Sequence, residues 1–256
     1  MPRRASKLQK LSPPSPPQVE PDKHTLFTAW ASARGVSIHA SISAAALPSR
    51  GIGLVTTAPI PSGTRLLFVP EKAIFALSPK QLSQAQLATT SPQAQLVLAA
   101  LLECEKDAQG VFELWRPTWP TLAELEAGMP MCWPQHLRDL LPSSVRAPLT
   151  RQIEDWTRDR DAISSVSARW AEEEVRYLWL IANSRSFHWK PASTSKSKTA
   201  KPKPGMMVMC PFIDYMNHAP SGDEGGACKV FQTAGGYEVL AERDYGKSLL
   251  IDISFA

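Results

Sequence analysis

With 256 residues and 43% hydrophobic content, the chain can bury one large core, and every apolar run falls short of the roughly 20 residues that span a bilayer. The net charge of +4 is unevenly placed: residues 1–22 account for +2 and residues 190–204 for +5, which leaves the remainder at −3. Such a distribution argues against a nucleic-acid-binding domain, which gathers Lys and Arg on a structured face. The N-terminus lacks the apolar run of a secretory signal, so residence in the cytoplasm or nucleus is expected. Cys104, Cys132, Cys210 and Cys228 lie far apart without zinc-site spacing, and are expected to be free thiols with no metal.

Residues 1–22 are rich in Pro and Ser and are expected to form a disordered tail. Leu26, Phe27, Trp30 and Ala33 predict a short helix closed by Gly35. Leu54-Val55 and Leu66–Val69 predict two strands flanking Ile60-Pro-Ser-Gly63, whose residue order suits a type I turn. Ser91 and Pro92 predict a helix start, followed by a face of Leu96, Ala100, Leu101 and Cys104. Trp115–Pro134 reads as irregular structure, and helical spacing resumes over 145–182. A Lys/Ser/Thr/Pro loop is expected at 190–204. Lys229–Gln232 and Tyr237–Ala241 predict strands joined through Gly235-Gly236, before a last apolar run at Leu249–Ile253. Strands, a helical insert and strands again predict an α+β fold in which the two strand blocks meet.

Two segments suggest chemistry. Asp214, Asn217 and His218 sit together in an otherwise apolar stretch, either capping backbone groups in a turn or facing a ligand. Gly51-Ile52-Gly53 marks either a bend at a strand edge or a place where a ligand approaches the main chain.

Taken in order, the motifs resemble one family. Phe27-x-x-Trp30, Gly35-Val36, Gly51-Ile-Gly-Leu54 and Ile60-Pro-Ser-Gly63 are similar to the opening of SET-domain protein lysine methyltransferases of the Rubisco large-subunit methyltransferase class. The helical insert, Ser184-Arg-Ser-Phe187, the Pro211–Pro220 segment with its Asn217-His218 pair, and the closing run to Phe255 resemble that class in the same sequence. The resemblance covers residues 24–256. It implies a SET-type fold of short strands and small sheets interrupted by a large helical insert, with a strand part at 23–76, the insert at 77–182 and a C-terminal SET part at 183–256.

The resemblance further implies S-adenosylmethionine as cofactor and a protein substrate bearing a target lysine, with ribosomal or other translation-related proteins as candidates. Arg50, Gly51, Ile52, Gly53, Asn217 and His218 match cofactor-contacting positions. Asp214 and Phe187 match positions lining the substrate-lysine channel. Arg185 matches a position at the cofactor carboxylate, with a buried structural Arg–carboxylate pair as the alternative.

The chain also departs from the family pattern. Phe255 stands where a catalytic tyrosine is expected, Ser248-Leu249 stand where Gly-Glu is usual, and Thr64 replaces an acidic residue. The family's C-terminal helical domain is not represented. A protein-lysine N-methyltransferase is therefore expected, with an inactive or truncated SET-fold interaction module as the alternative.

Overall fold

The computed structural model describes residues 22–48, 50–78, 90–106, 110–190, 205–219 and 228–254. The proline-rich tail up to residue 21, residues 191–204 of the lysine-rich stretch, Pro220 and Phe255 lie outside the described residues.

The architecture is α+β. Helix α1 (Lys23–Ala33) starts where the Asp22 carboxylate accepts the His24 amide, and it buries Phe27, Trp30 and Ala31. Strands β1 (Ser37–Ile38), β2 (Ile42–Leu47), β3 (Gly51–Thr56) and β4 (Arg65–Pro70) form the N-terminal strand block. After the helices come β5 (Ser186–Trp189), β6 (Met206–Met209), β7 (Asn217–His218), β8 (Cys228–Thr233), β9 (Gly236–Leu240) and β10 (Leu250–Ser254). The two strand blocks meet in one sheet of order β1-β4-β9-β8-β10-β3-β2, with β7 added on β10, while β5 and β6 pair separately.

The hairpin β8–β9 turns at Ala234-Gly235, as the glycine pair predicts. The turn before β4 differs from the type I expectation. Its hydrogen bond runs from the Thr64 amide to the Pro61 carbonyl, and Gly63 takes φ +77°, which shifts the turn by one residue and gives it type II character. Strand β2 was not legible. Its sequence ISAAAL is rich in Ala, a poor strand former, yet it pairs along its whole length with β3.

Helices α2 (Pro92–Cys104), α3 (Leu122–Gly128), α4 (Gln135–Arg138), α5 (Ser143–Val166) and α6 (Glu172–Arg185) make up the insert. Helix α3 falls inside the stretch expected to be irregular. A capping box holds its start, with Thr121 Oγ1 accepting the Glu124 amide and Glu124 accepting the Thr121 amide. The expected 145–182 helix is broken at extended Ser167 into α5 and α6. Asp159 on α5 ties the insert together while almost wholly buried, accepting from Ser91 Oγ at 2.7 Å and Trp179 Nε1 at 3.0 Å. No described helix is long and apolar enough to cross a membrane.

The turn into β10 is wrapped around one buried hydroxyl. Thr56 Oγ1 donates to the Gly246 carbonyl at 2.6 Å and accepts the Leu249 amide at 2.9 Å, while the Thr56 carbonyl accepts the Ser248 amide at 2.8 Å. This closes the turn with Ser248 at φ +64°, a conformation that suits glycine, and Ser248 is where the resembled family carries glycine. Because that residue is exposed, Ser248→Gly is expected to raise stability by about 0.5–1 kcal/mol in denaturant unfolding. Ser248→Val, β-branched in the same backbone state, is expected to lower it.

Candidate cofactor cleft

The cleft begins where strand β10 changes partners. It pairs antiparallel with β3 at Leu250↔Val55 and Ile251↔Leu54, and then parallel with β7 at Asp252↔Asn217 and Ile253↔His218. Ile253 also pairs with Cys228, so β10 lies between β7 and β8. The ladder to β3 therefore stops at Leu54. Gly51, Ile52 and Gly53 keep β2 on one edge, and across the other edge stands Asn217. A strand edge without a strand partner presents main-chain groups to a ligand, although here the Ile52 carbonyl already accepts from Asn217 Nδ2.

Gly53 is fixed by crowding. A Cβ there would lie 2.4 Å from Leu47 Cδ1, 2.8 Å from Asn217 Nδ2 and 3.2 Å from Leu250 Cδ1. Asn217 uses the room that glycine leaves, and its Nδ2 donates to the Ile52 carbonyl at 3.3 Å. Gly51 is different: it is exposed at φ +72°, with nothing within 4 Å of where its Cβ would be. One glycine lets the side chain of β7 close in, and the other leaves open space at the mouth.

Arg50 spans the cleft. Its Nη1 and Nη2 reach the Asp252 carboxylate at 3.2–3.3 Å, and Nη2 also donates to the His218 carbonyl at 3.2 Å. The sequence places Arg50 beside the glycines, and the structure shows its guanidinium joining β7 and β10 across them. Asp252 was missed by the sequence reading, although a single carboxylate inside Leu249–Ile253 was a visible signal.

Behind the cleft lies Asp214. The single turn of 3-10 helix Ile213–Tyr215 begins at Phe212, whose φ of +73° is strained for a bulky residue. The Asp214 side chain is fully enclosed. Its Oδ2 accepts Trp115 Nε1 at 2.9 Å and lies 3.6 Å from Arg185 Nη1. Oδ1 closes no hydrogen bond of normal geometry. Burial raises its pKa, opposed by Arg185 and then by the Trp115 hydrogen bond. Burial likewise pushes up its neighbours Tyr215, and Cys210 most strongly, with Asp214 adding to both.

Arg185, at the last turn of α6, donates from Nη1 to the Asp214 carbonyl at 2.7 Å. Of the two readings offered by the sequence, the described contacts are those of a structural Arg–carboxylate pair. Asp214 is enclosed, and its hydrogen-bond partner Trp115 was not foreseen. Phe187 is buried on β5, paired with Val208 of β6 and 5.7 Å from the Tyr237 ring. Phe255, at the expected tyrosine position, is outside the described residues. Among the described residues no group of His, Cys, Asp and Glu could hold a metal ion.

No protein-family model matches the sequence, and no curated protein matches it. Solved structures do. The SET domain of LSMT bound to lysine and AdoHcy superposes with a TM-score of 0.65 at 15% identity, over 94% of this chain and 55% of that one. This chain has the SET fold. Rubisco LSMT bound to AdoMet matches at TM-score 0.64 and 14% identity, over 91% of this chain and 53% of that one. Rubisco LSMT bound to sinefungin and monomethyllysine matches at 0.59 and 15%, over 91% and 52%. The chain thus spans about half the length of these SET-fold structures.

Two outcomes follow from the geometry of this SET fold. Gly53→Ala is expected to cost about 1–3 kcal/mol through overpacking. Combining it with Asn217→Ala should recover part of that loss, because one crowded atom is removed; strict additivity in a double-mutant cycle would contradict the packing. The second concerns Asp214. Its folded pKa lies above the ordinary 3.8, so the folded state holds the proton longer than the unfolded chain does. Its contribution to stability therefore falls as pH rises from 3.8 through the raised folded value. Measured by unfolding at several pH values, the stability of Asp214→Asn relative to wild type is expected to improve across that window.

Proposed function

We propose that this chain binds S-adenosylmethionine along the β3 edge facing β7 and transfers its methyl group to a lysine of a protein substrate. The observation that carries the reading is the fork of β10, which leaves the Gly51–Gly53 edge open beside Asn217. The likeness to SET-fold structures holding AdoMet, AdoHcy and lysine supports it. The bound cofactor would supply an electrophilic methyl group on a sulfonium.

The residues present fit such a ligand. Gly51 leaves open space for it against the main chain, Gly53 lets Asn217 close in, and Asn217 and His218 stand on the opposite wall. Arg50 and Asp252 hold the two walls at a fixed spacing, and Arg185 with Asp214 braces the segment that carries Asn217. The substrate lysine, with an ordinary pKa near 10.4, must arrive as the free amine. Enclosure among apolar side chains such as Phe187 favours that neutral form. The protein's remaining task is alignment of nitrogen with methyl carbon at roughly 3–3.5 Å. Ribosomal and other translation-related proteins are the first substrates to assay.

A second reading is favoured by one observation. Ser248 adopts a glycine-like backbone state, which supports the register that sets Phe255 on the tyrosine position. A chain lacking that hydroxyl could bind cofactor and partner without transfer.

Calorimetric titration with S-adenosylmethionine tests the site. Saturable binding is expected, weakened at least about tenfold in the Asn217→Ala, His218→Ala double variant, which corresponds to roughly 1.4 kcal/mol. No binding by the folded wild type, or equal binding by the variant, would sink the proposal. Transfer assays on the wild type and Phe255→Tyr separate the two readings: methyl transfer by the wild type favours the enzyme, whereas cofactor binding without transfer by the wild type, with a rate raised by about 10²-fold or more in Phe255→Tyr, favours the module.

A further inference from the structure

A cavity of about 770 Å³ opens between the end of α2, the segment 112–122 and the first turns of α6. It shares no lining residue with the cleft. The aromatic side chains of Phe112, Trp119 and Tyr177 line it, together with the carboxylates of Glu113, Glu173 and Glu174. Glu113 and Glu173 are exposed and Glu174 is half-buried. No ion pair involves any of these three among the described residues, because nearby cations are engaged elsewhere: Arg169 with Glu105, and Arg176 with Glu126. Glu103, also in the lining, is already taken up by the Val111 amide and Lys106. The single lining cation, Arg116, lies 5.7 Å from the Tyr177 ring centroid, which shows that this aromatic face already accepts a cation.

Aromatic walls beneath unpaired carboxylates suit one occupant, a basic peptide segment. Lysine or arginine stems would lie along the rings while their charged ends meet the glutamates. We propose that this cavity docks a lysine- or arginine-rich segment of a partner protein. The site stands on its own residues and does not require methyl transfer. If the chain is a methyltransferase, the cavity becomes a second anchoring point and selects substrates with a basic segment apart from the target lysine.

Fluorescence polarisation with a labelled ten-residue peptide of alternating lysine and alanine tests the inference in the full chain. Saturable binding at low salt is expected, with affinity falling as salt rises. The Glu113→Gln, Glu173→Gln, Glu174→Gln variant should lose at least about tenfold in affinity, as expected when several charge contacts are removed together. That variant should keep the wild-type calorimetric response to S-adenosylmethionine, so a failed cavity is distinguishable from a failed cleft. Should the triple variant not fold, Glu113→Gln alone, outside any helix, must show a severalfold loss. Equal binding by the variants, or equal binding of a peptide with glutamate in place of lysine, overturns the proposal.

Discussion

A carboxylate with no access to water has to be matched by partners from somewhere, and at Asp214 three parts of the chain come together. Trp115 comes from the segment between α2 and α3, Arg185 from the last turn of α6, and Asp214 itself from the strained turn at Phe212. Losing either partner would leave a buried charge under-compensated, a change that costs several kcal/mol in comparable settings. Aromatic packing reinforces the same junction. Phe27 of α1 lies 5.9 Å from the Trp115 ring, 6.3 Å from Phe212 and 5.4 Å from Tyr215. His24 adds a 2.8 Å hydrogen bond to the Tyr215 hydroxyl. The direction in which β7 leaves this junction is therefore fixed from behind.

From there the cleft is a consequence of strand pairing. β7 is two residues long and could not persist alone; it exists because β10 pairs with it after leaving β3. The switch occurs over consecutive residues of one strand, Ile251 and Asp252, and the Arg50–Asp252 pair sits at the switch itself. With Arg50 about a third exposed, that pair contributes little to stability as a salt bridge. Its value is geometric, since one guanidinium holds a strand end, a carbonyl of β7 and a carboxylate of β10 at once. The Thr56 hydroxyl does comparable work at the other end, fixing the turn from which β10 departs.

Much of this was legible in the sequence because local chemistry and tertiary structure agree there. The Ser91-Pro92 helix start, the Gly235 hairpin and the apolar run of β10 obey their own local rules. The strand blocks on either side of the insert were placed together correctly for the same reason. What escaped was non-local. β2 is held by its ladder to β3 against the weak strand tendency of alanine. Helix α3 depends on a capping box hidden in a stretch whose Trp and Pro content suggested irregular coil. Gly53 and Asn217 could be named as candidates from their motifs, but only the fold shows that the absence of a side chain on one makes room for the amide of the other. Asp252 and Trp115 have hydrogen-bond partners more than 90 positions away.

The central claim is that β3, β7 and β10 act as one ligand-binding unit. Amide hydrogen exchange, read residue by residue with and without S-adenosylmethionine, tests it directly. Ligand-dependent protection confined to Arg50–Thr56, Ile213–Ala219 and Leu249–Ser254 is the result this structure predicts. Binding accompanied by protection elsewhere, with these three segments unchanged, would contradict it.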